Sequence, residues 1–217
     1  MPERALVLAP HTDDGEFGAG ATLARLIEEG WEVHYAAFST CEKSVPAGFP
    51  RDVLEGEMRR ATAALGIAPE RVHLRRYAVR EFPAARQPIL EDLIRLRREV
   101  APGLVLLPSS QDVHQDHETI HREGVRAFKD RTLIGYELPW NNVSASAALL
   151  YEVSEAHLET KIRALACYES QRGRSYADPE FLRGLARVRG AQLGARFAEA
   201  FEVVRWAVRL PGGEGRG

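Results

Sequence analysis

The sequence predicts an α/β fold, with a doubly wound and mostly parallel sheet that carries helices on both faces. Strand-like apolar runs alternate with segments of helical periodicity through the first two thirds of the 217 residues, which is the order that parallel strands with crossover helices require. Two of the apolar runs, Arg4 to Ala9 and Gly103 to Leu107, are each followed by a proline and then by a cluster of polar residues. Open α/β sheets bind their ligands at the carboxyl ends of such strands, so the predicted fold is Rossmann-like.

The first half of the chain divides into three strands and three helices. Short apolar and aromatic runs indicate strands, whereas leucine and isoleucine at intervals of three and four indicate helices. The strands are predicted at Arg4 to Ala9, Trp31 to Phe38 and Arg71 to Tyr77, and the helices at Gly18 to Glu29, Arg51 to Leu65 and Gln87 to Val100. Alternate charged positions make the third strand a predicted edge strand. The proline- and glycine-rich segment Ser39 to Pro50 is a predicted loop over the ligand-binding edge.

The second half of the chain continues with four strands and three helices. Asp178 before Pro179 predicts a capped start for the last helix. The strands are predicted at Gly103 to Leu107, Thr132 to Glu137, Leu149 to Val153 and Phe201 to Val208, and the helices at His117 to Phe128, Ser154 to Tyr168 and Pro179 to Ala200. Leu138 to Ser146 is a second predicted rim loop. We expect one domain over residues 1–210 and a disordered tail over residues 211–217.

Composition restricts the function classes that the chain can belong to. The formal charge of −2 gives no basis for nucleic-acid binding, and no apolar run approaches the roughly 20 residues that span a bilayer. Two cysteines, Cys41 and Cys167, do not make a disulfide framework. The first residues enter a strand without a basic and apolar leader. We therefore expect a cytoplasmic protein.

Histidine and aspartate side chains cluster after the first and fourth strands. The first strand is followed by His11, Asp13 and Asp14, and the fourth by His114, Asp116 and His117. Because these two strands are commonly neighbours at the switch point of a doubly wound sheet, we expect both clusters to face one crevice. A catalytic zinc ion usually has three protein ligands and one open position, a count that His11, Asp14 and His117 meet.

The remaining members of the two clusters suit acid and base roles. Asp13 would lie beside the metal without binding it, as a general base requires. His114, with Asp116 beside it, is expected to be an imidazolium that stabilises an oxyanion or protonates a leaving amine.

Two other interpretations of these residues remain open. The first cluster also fits a capping and turn sequence before a helix that starts at glycines. The segment His117 to His121, HETIH, fits the metalloprotease pattern of two histidines one helical turn apart with a glutamate between them. The extended form of that pattern needs a histidine where this chain has Ala127, which argues against a protease.

Four segments of the chain together resemble a known enzyme family. PHTDD at Pro10 to Asp14 and HQDH at His114 to His117 resemble the two motifs, usually HPDDE and HPDH, of the PIG-L/LmbE family of zinc-dependent N-deacetylases. The other two resembling segments are Glu57 to Gly66 and the C-terminal part, which comprises Cys167 to Gln171, Arg189-Gly190 and Ala198 to Phe201. The chain departs from the first motif at two places, because Thr12 replaces the usual proline and Gly15 the usual glutamate, with Glu16 one place later.

The resemblance implies an activity, a cofactor and residue roles. It implies zinc, or another divalent metal such as Fe²⁺, bound by His11, Asp14 and His117, with Asp13 as base and with His114, oriented by Asp116, as electrostatic stabiliser or acid. The implied reaction removes the acetyl group of an N-acetylglucosamine-type sugar or conjugate, and the implied assembly is a homo-oligomer. A zinc hydrolase of another amide or ester, or a non-catalytic α/β ligand-binding module, would use the same residues differently.

Overall fold

One seven-stranded sheet forms the centre of the computed structural model, which describes residues 3–144 and 147–208. Its strands are β1 (Arg4–Ala9), β2 (Glu32–Ala37), β3 (Val72–Leu74), β4 (Leu104–Pro108), β5 (Thr132–Tyr136), β6 (Leu149–Glu152) and β7 (Ala198–Arg205). They lie in the order β3-β2-β1-β4-β5-β7-β6, in which the first five are parallel and β7 is antiparallel to both its neighbours. The mostly parallel sheet, the edge position of β3 and the pairing of β1 with β4 are confirmed.

Helices cover both faces of this sheet, as predicted. They are α1 (Asp14–Glu28), α2 (Val53–Leu65), α3 (Arg86–Val100), α4 (Gln115–Ala127), α5 (Glu155–Leu165) and α6 (Pro179–Leu193). α1, α2 and α5 pack against one another on one face, and α3 packs against α4 on the other. α6 lies against β6 and β7.

The side chains from Ala5 to Ala9 explain why the polar cluster begins only after the last residue of β1. Ala5, Val7 and Ala9 belong to the core under α1 and α2, whereas Leu6 and Leu8 belong to the core under α3. Successive residues of a strand point to opposite faces, and both faces are covered here. A polar side chain therefore first finds space beyond the last residue of β1.

Two glycines let α1 begin close to the sheet. A Cβ atom at Gly15 would lie 2.5 Å from Cε2 of Tyr35, and one at Gly18 would overlap the ring of Tyr136. Any larger residue would force the helix away from the strands. This close packing places the first turn of α1 at the end of β1.

Two helices that carry site residues begin earlier than the sequence predicts. α1 begins at Asp14 instead of Gly18, and α4 begins at Gln115 instead of His117. Asp14 therefore lies in the first turn of α1 and Asp116 and His117 in the first turn of α4, with Asp13 and His114 at the two N-cap positions.

The C-terminal boundaries also differ from the prediction. The last helix ends at Leu193 and not at Ala200, because Gly194 has a left-handed φ of 76° that ends it. β7 begins at Ala198 and not at Phe201. The predicted cap of the same helix is confirmed, since the Asp178 side chain accepts the N–H of residue 180 at 2.7 Å.

Some predictions concern residues outside the described ranges. The tail at residues 211–217 lies outside them, as do residues 145 and 146 of the second rim loop. Within the described ranges, no helix is both long and apolar enough to cross a membrane.

Candidate active site

A crevice of about 310 Å³ opens where β1 and β4 end. Five of the six residues singled out from the sequence line it, namely His11, Asp13, Asp14, His114 and His117. The sixth, Asp116, is fully buried. The two polar clusters thus meet in one crevice, as the strand order requires.

Three side-chain atoms in the crevice form a triangle of the size that a metal ion needs. His11 Nδ1 lies 3.1 Å from His117 Nε2, and Asp14 Oδ2 lies 3.2 Å from the first nitrogen and 3.3 Å from the second. Ligand atoms that share one tetrahedral zinc ion, each about 2.0–2.1 Å from it, are separated by about 3.3 Å. The triangle of His11, Asp14 and His117 therefore fits a metal ion of this kind.

Each histidine of the triangle has its other ring nitrogen bonded to a buried carboxylate. His11 Nε2 lies 3.0 Å from Asp116 Oδ2, and His117 Nδ1 lies 2.7 Å from Asp112 Oδ2. Because a carboxylate accepts the ring N–H, the lone pair of the other nitrogen faces the triangle. Asp116 is held in turn by the backbone N–H of Arg80 at 2.6 Å. This arrangement is typical of histidines that bind a metal.

The carboxylate of Asp116 has a different partner from the one expected. The sequence predicts that it orients His114, but it bonds to His11, 105 positions away in the chain, and only the backbone N–H of Asp116 reaches His114. The physical reason is that α4 has already begun, and side chains two residues apart on a helix do not face each other.

Asp112 is a site residue that the sequence reasoning missed. It is buried, and besides holding His117 it accepts the backbone N–H of His114 at 2.9 Å. The sequence feature that could have identified Asp112 is its place in the same polar run, five residues before His117. Nothing in the sequence distinguishes it from an ordinary loop aspartate, because the conformation of the turn from β4 to α4 places its carboxylate next to His117.

His114 caps the first turn of α4 with its ring. Its Nδ1 accepts the backbone N–H of Asp116 at 3.2 Å. A ring nitrogen that accepts a hydrogen bond carries no proton, so in the neutral ring the proton is on Nε2. Burial, with the nearby His117 and His11, lowers the pKa of His114. The neutral ring, and not the imidazolium expected from the sequence, fits these contacts.

The geometry offers a second possible ligand set. Ligand-type atoms of His11, His114 and His117 all lie within 4.8 Å of one another, so three histidines could surround an ion. A neutral His114 with its proton on Nε2 has no lone pair to give on that side, whereas Asp14 Oδ2 already lies at the ligand spacing from both histidines of the triangle. The contacts favour Asp14.

Asp13 lies beside the triangle and lines the crevice. It occupies the N-cap position of α1 without making a capping hydrogen bond through its side chain. Burial and the charge of Asp14 raise the pKa of Asp13 to about 6, although His11 and Arg174 oppose the rise. A carboxylate with a pKa near neutrality and no capping partner can accept a proton from a ligand.

The charges of the triangle favour a cation. Burial opposes ionisation of Asp14, but His117 and His11 hold its pKa well below the ordinary range. Burial likewise opposes a charge on His11, yet Asp14 and Asp116 raise the pKa of His11 well above its ordinary value. The carboxylates thus stabilise positive charge at this position, and metal binding would replace the proton of His11.

A fully buried glutamate supports the loop that carries His11 and Asp14. The carboxyl group of Glu16 bonds to the hydroxyls of Tyr35 and Tyr168, and these hydroxyls lie 3.0 and 2.7 Å from the carbonyl oxygen of Thr12. Burial raises the pKa of Glu16 to about 8. As a neutral acid, Glu16 can donate to Tyr35 and so leave the tyrosine proton for Thr12.

An aromatic wall, formed by Phe17, Trp140 and Tyr176, lines part of the crevice. Trp140 and Tyr176 stack with their centroids 4.1 Å apart and their planes 14° apart, and Phe17 meets each of them edge-on at 5.4 Å. The wall is a rigid apolar surface that a ligand ring can cover. Trp140 comes from the predicted rim loop, Leu138 to Ser146, although the sequence alone did not single it out.

The metalloprotease interpretation is wrong. His121 Nδ1 bonds to the carbonyl oxygen of Pro108 at 2.8 Å, and Glu118 pairs with Arg122 on the exposed side of α4. Of the HETIH segment, His117 alone is among the described residues that line the crevice.

A family model described as PIG-L: GlcNAc-PI de-N-acetylase matches residues 6–128, more than half of the chain and all of both polar clusters. The chain belongs to the PIG-L family. The resemblance read from its motifs is therefore confirmed.

A PIG-L relative named for its deacetylase activity matches most of the chain. The diacetylchitobiose deacetylase of Thermococcus kodakarensis is 24% identical over 227 residues, which cover 93% of this chain and 83% of that protein. With the family match, this makes the chain an enzyme of the hydrolase class that includes the PIG-L deacetylases.

Solved structures share the fold over nearly the whole chain. A conserved protein from Thermus thermophilus is 26% identical with a TM-score of 0.79, covering 99% of this chain and 100% of that one. The N,N'-diacetylchitobiose deacetylase of Pyrococcus horikoshii also has a TM-score of 0.79, at 19% identity, and covers 93% of this chain and 84% of its own. The hydratase GalB of Pseudomonas putida is similar at 0.78, with 19% identity over 97% and 100% of the two chains. Since the same PIG-L-like fold occurs in a hydratase, the specific reaction must be argued from the site.

Proposed function

We propose that this PIG-L chain is a zinc-dependent N-deacetylase that removes the acetyl group from an N-acetylglucosamine-type sugar or its conjugate. The observation that carries the proposal is the triangle of His11, Asp14 and His117, with its atoms 3.1 to 3.3 Å apart. Zinc held there would polarise the amide carbonyl and lower the pKa of the attacking water.

Asp13 is the proposed base of this reaction. It lines the crevice beside the triangle, and its pKa of about 6 leaves it mostly ionised at neutral pH. It takes the proton of the attacking water and then holds the proton that the departing amine requires. The amide C–N bond breaks, and the products are acetate and the free amino sugar.

His114 is the proposed stabiliser of the carbonyl oxygen. Its Nδ1 is occupied by the backbone N–H of Asp116, so the neutral ring donates from Nε2. A donor fixed in this way by the first turn of α4 is already oriented when negative charge develops on the oxygen, which is when such a contact lowers the barrier.

The crevice walls support an amino sugar as the substrate. The aromatic wall offers a flat apolar surface for the C–H face of a sugar ring. Asn141 and Gln171 also line the crevice and provide amide groups for sugar hydroxyls. The activity of the Thermococcus relative on diacetylchitobiose agrees with this substrate class.

Release of free amine from a panel of N-acetylglucosamine derivatives tests the proposal. Zinc-loaded wild-type protein is expected to turn over at least one of them, and Asp13→Ala to lose nearly all of that turnover while it retains zinc. His121→Ala, on the same helix as His117 but outside the crevice, is the matched control and should keep its activity. Absence of turnover across amides and esters, with one equivalent of zinc bound, would overturn the deacetylase assignment.

Metal analysis distinguishes the two ligand sets. Under the proposed set, Asp14→Ala loses zinc and His114→Ala keeps it but turns over slowly. The opposite pattern would replace Asp14 by His114 in the set and make the proposed oxyanion role of His114 wrong. Parallel titrations with Zn²⁺ and Fe²⁺ test which ion binds more tightly.

A homo-oligomer and a cytoplasmic location also belong to the proposal. Light scattering on the purified protein tests the predicted homo-oligomer. Fractionation of the source cells tests the location.

A further inference from the structure

We propose that Lys161 and Glu199 are positioning residues, which fix the first turn of α1 and thereby the places of Asp13 and Asp14. They lie outside the crevice, on α5 and β7, and neither belongs to residues 6–128 that match the family model. The inference rests on the proposed function, because it concerns the placement of the proposed base and of one corner of the triangle.

Lys161 and Glu199 form a buried ion pair. Lys161 Nζ lies 2.6 Å from Glu199 Oε1, and the two residues are only 5% and 6% exposed. Taking two charges out of water is costly, and replacing such a pair by apolar side chains of similar volume is often neutral or stabilising. Stability alone therefore does not explain the pair, and its other contacts give a reason for it.

Both members of the ion pair bond to the backbone of α1. Lys161 Nζ donates to the carbonyl oxygen of Phe17 at 2.6 Å. The Glu199 carboxylate accepts the N–H of Ala21 at 3.3 Å and that of Thr22 at 2.7 Å. A regular helix joins the N–H of residue 21 to the carbonyl of residue 17. The ion pair thus holds both groups that join the first turn of α1 to the second, and side chains inserted at such a point determine how a helix bends.

The first turn of α1 connects this contact to the site. The N–H of Phe17 donates to the carbonyl oxygen of Asp13 at 3.0 Å, and the carbonyl oxygen of Phe17 accepts from Lys161. Asp14 is the first residue of the helix and lies between Asp13 and Phe17 in the chain. A change in the direction of this turn would therefore move Asp13 and Asp14 together, relative to His117 on α4.

Gly20 gives the lysine side chain room beside α1. A Cβ atom at Gly20 would lie 2.9 Å from Cγ of Lys161 and 3.2 Å from its Cβ. Both of these lysine atoms are close to the backbone of α5, so the side chain could not avoid an added methyl group by moving its end alone. A methyl group at residue 20 would therefore displace the ion pair without removing a charge.

A double variant separates positioning from stability. Lys161→Met leaves Glu199 buried without its cation and should destabilise the fold. Adding Glu199→Leu removes that charge as well, so the free energy of unfolding, measured in urea, should recover, whereas the backbone groups of α1 still lack these side-chain partners. We expect kcat of the double variant to stay about 10- to 100-fold below the wild type, with KM changed less than about threefold. A merely structural pair would let kcat recover together with stability.

Zinc affinity gives a readout that does not depend on turnover. Because Asp14 is a corner of the triangle, competition with a chelator should find zinc bound about tenfold more weakly by the double variant. Arg189→Met with Glu137→Leu is the matched control. It removes another shielded ion pair, one that does not bond to the backbone of α1 among the residues described. This control should keep both kcat and zinc affinity.

Gly20→Ala tests the same contact with both charges present. The added methyl group favours the helical conformation, so the protein should stay folded, whereas displacement of Lys161 should lower kcat about tenfold. Unchanged kcat and zinc affinity in this variant and in the double variant would overturn the inference and leave the deacetylase standing. Weaker zinc binding in both variants, with no turnover of any amide by the wild type, would support the positioning role and overturn the deacetylase.

Discussion

The two loops that build the site differ in what they contribute. Residues 10–14, after β1, supply two corners of the triangle and Asp13. Residues 109–117, after β4, supply the third corner and His114, but also both carboxylates that orient the histidines, Asp112 and Asp116. The first loop therefore holds most of the reacting groups, whereas the second determines how those groups are oriented.

The difference follows from where the loops lie in the fold. The first loop is short and passes directly into α1, and four of its five residues line the crevice. The second is longer, and Asp112 forms an isolated bridge with Asn142, next to the segment that carries Trp140. It can thus link β4, the rim and the first loop. Variants that disable one loop and leave the other intact test this division.

The largest effect is expected in the first loop, at Asp13. Asp13→Asn keeps the shape of the side chain but cannot accept a proton, so we expect kcat to fall by about 10²- to 10⁴-fold. Zinc content should not change, because Asp13 is not a corner of the triangle. Steady-state kinetics beside metal analysis measure both quantities. A kcat within a factor of about three of the wild type would show that another group is the base.

A smaller effect is expected in the second loop. Asp112→Asn and Asp116→Asn remove the carboxylates behind His117 and His11, and we expect each to weaken zinc binding by about 10- to 100-fold. Competition with a chelator gives the affinities. Asp178→Asn removes a carboxylate at the N-cap of α6, outside the crevice, and is the control that should leave zinc affinity unchanged. Unchanged affinity in both site variants would contradict the division of roles between the loops.

The pH dependence of the activity gives a third test of the first loop, with a smaller expected effect. Asp13 must be ionised to act as a base, and burial with the charge of Asp14 raises its pKa to about 6. Activity is therefore lost as the pH falls, by about tenfold per unit below the midpoint, and a bound cation would move that midpoint to or below 6. A plot of log kcat/KM against pH measures this loss of activity at low pH and its midpoint. A midpoint above 7 would contradict this assignment.

The smallest effect concerns the buried support of the first loop. Glu16→Gln keeps a donor and an acceptor between Tyr35 and Tyr168, so we expect activity within a few-fold of the wild type and only a pH-dependent change in stability. The raised pKa of about 8 means that folded Glu16 keeps its proton while the unfolded chain loses it near 4.5. Wild-type stability therefore falls, relative to the glutamine variant, as pH rises from about 4.5 to 8.

Urea unfolding of the metal-free proteins at several pH values measures that difference. Subtracting the two free energies of unfolding removes the contributions of the other titrating groups. Glu16→Ala, which opens a cavity and removes the carboxyl group that bonds to both tyrosine hydroxyls, should destabilise at every pH. A difference between wild type and Glu16→Gln that does not change with pH would mean that Glu16 is ionised when folded.

Much of the fold could be predicted because the signals are local. Apolar runs of strand length and leucines at helical spacing depend only on neighbouring residues, and they located every strand and α-helix that the described residues contain. The boundaries at Gly18 and Ala200 were wrong because they depend on cap geometry and on what packs nearby. Gly194 ends α6 through its backbone conformation, and nothing in the periodicity before it records that.

The sequence by itself determined the chemical groups of the site and the strand ends that carry them, because residue type and order along the chain are enough for that. The tertiary structure alone decided which carboxylate faces which histidine, since His11 and Asp116 are far apart in sequence and meet only when β1 and β4 pair. It also decided that Glu16, Tyr35 and Tyr168 converge under Thr12. Hydrogen bonds between distant segments depend on distances of a few ångströms that no local pattern encodes.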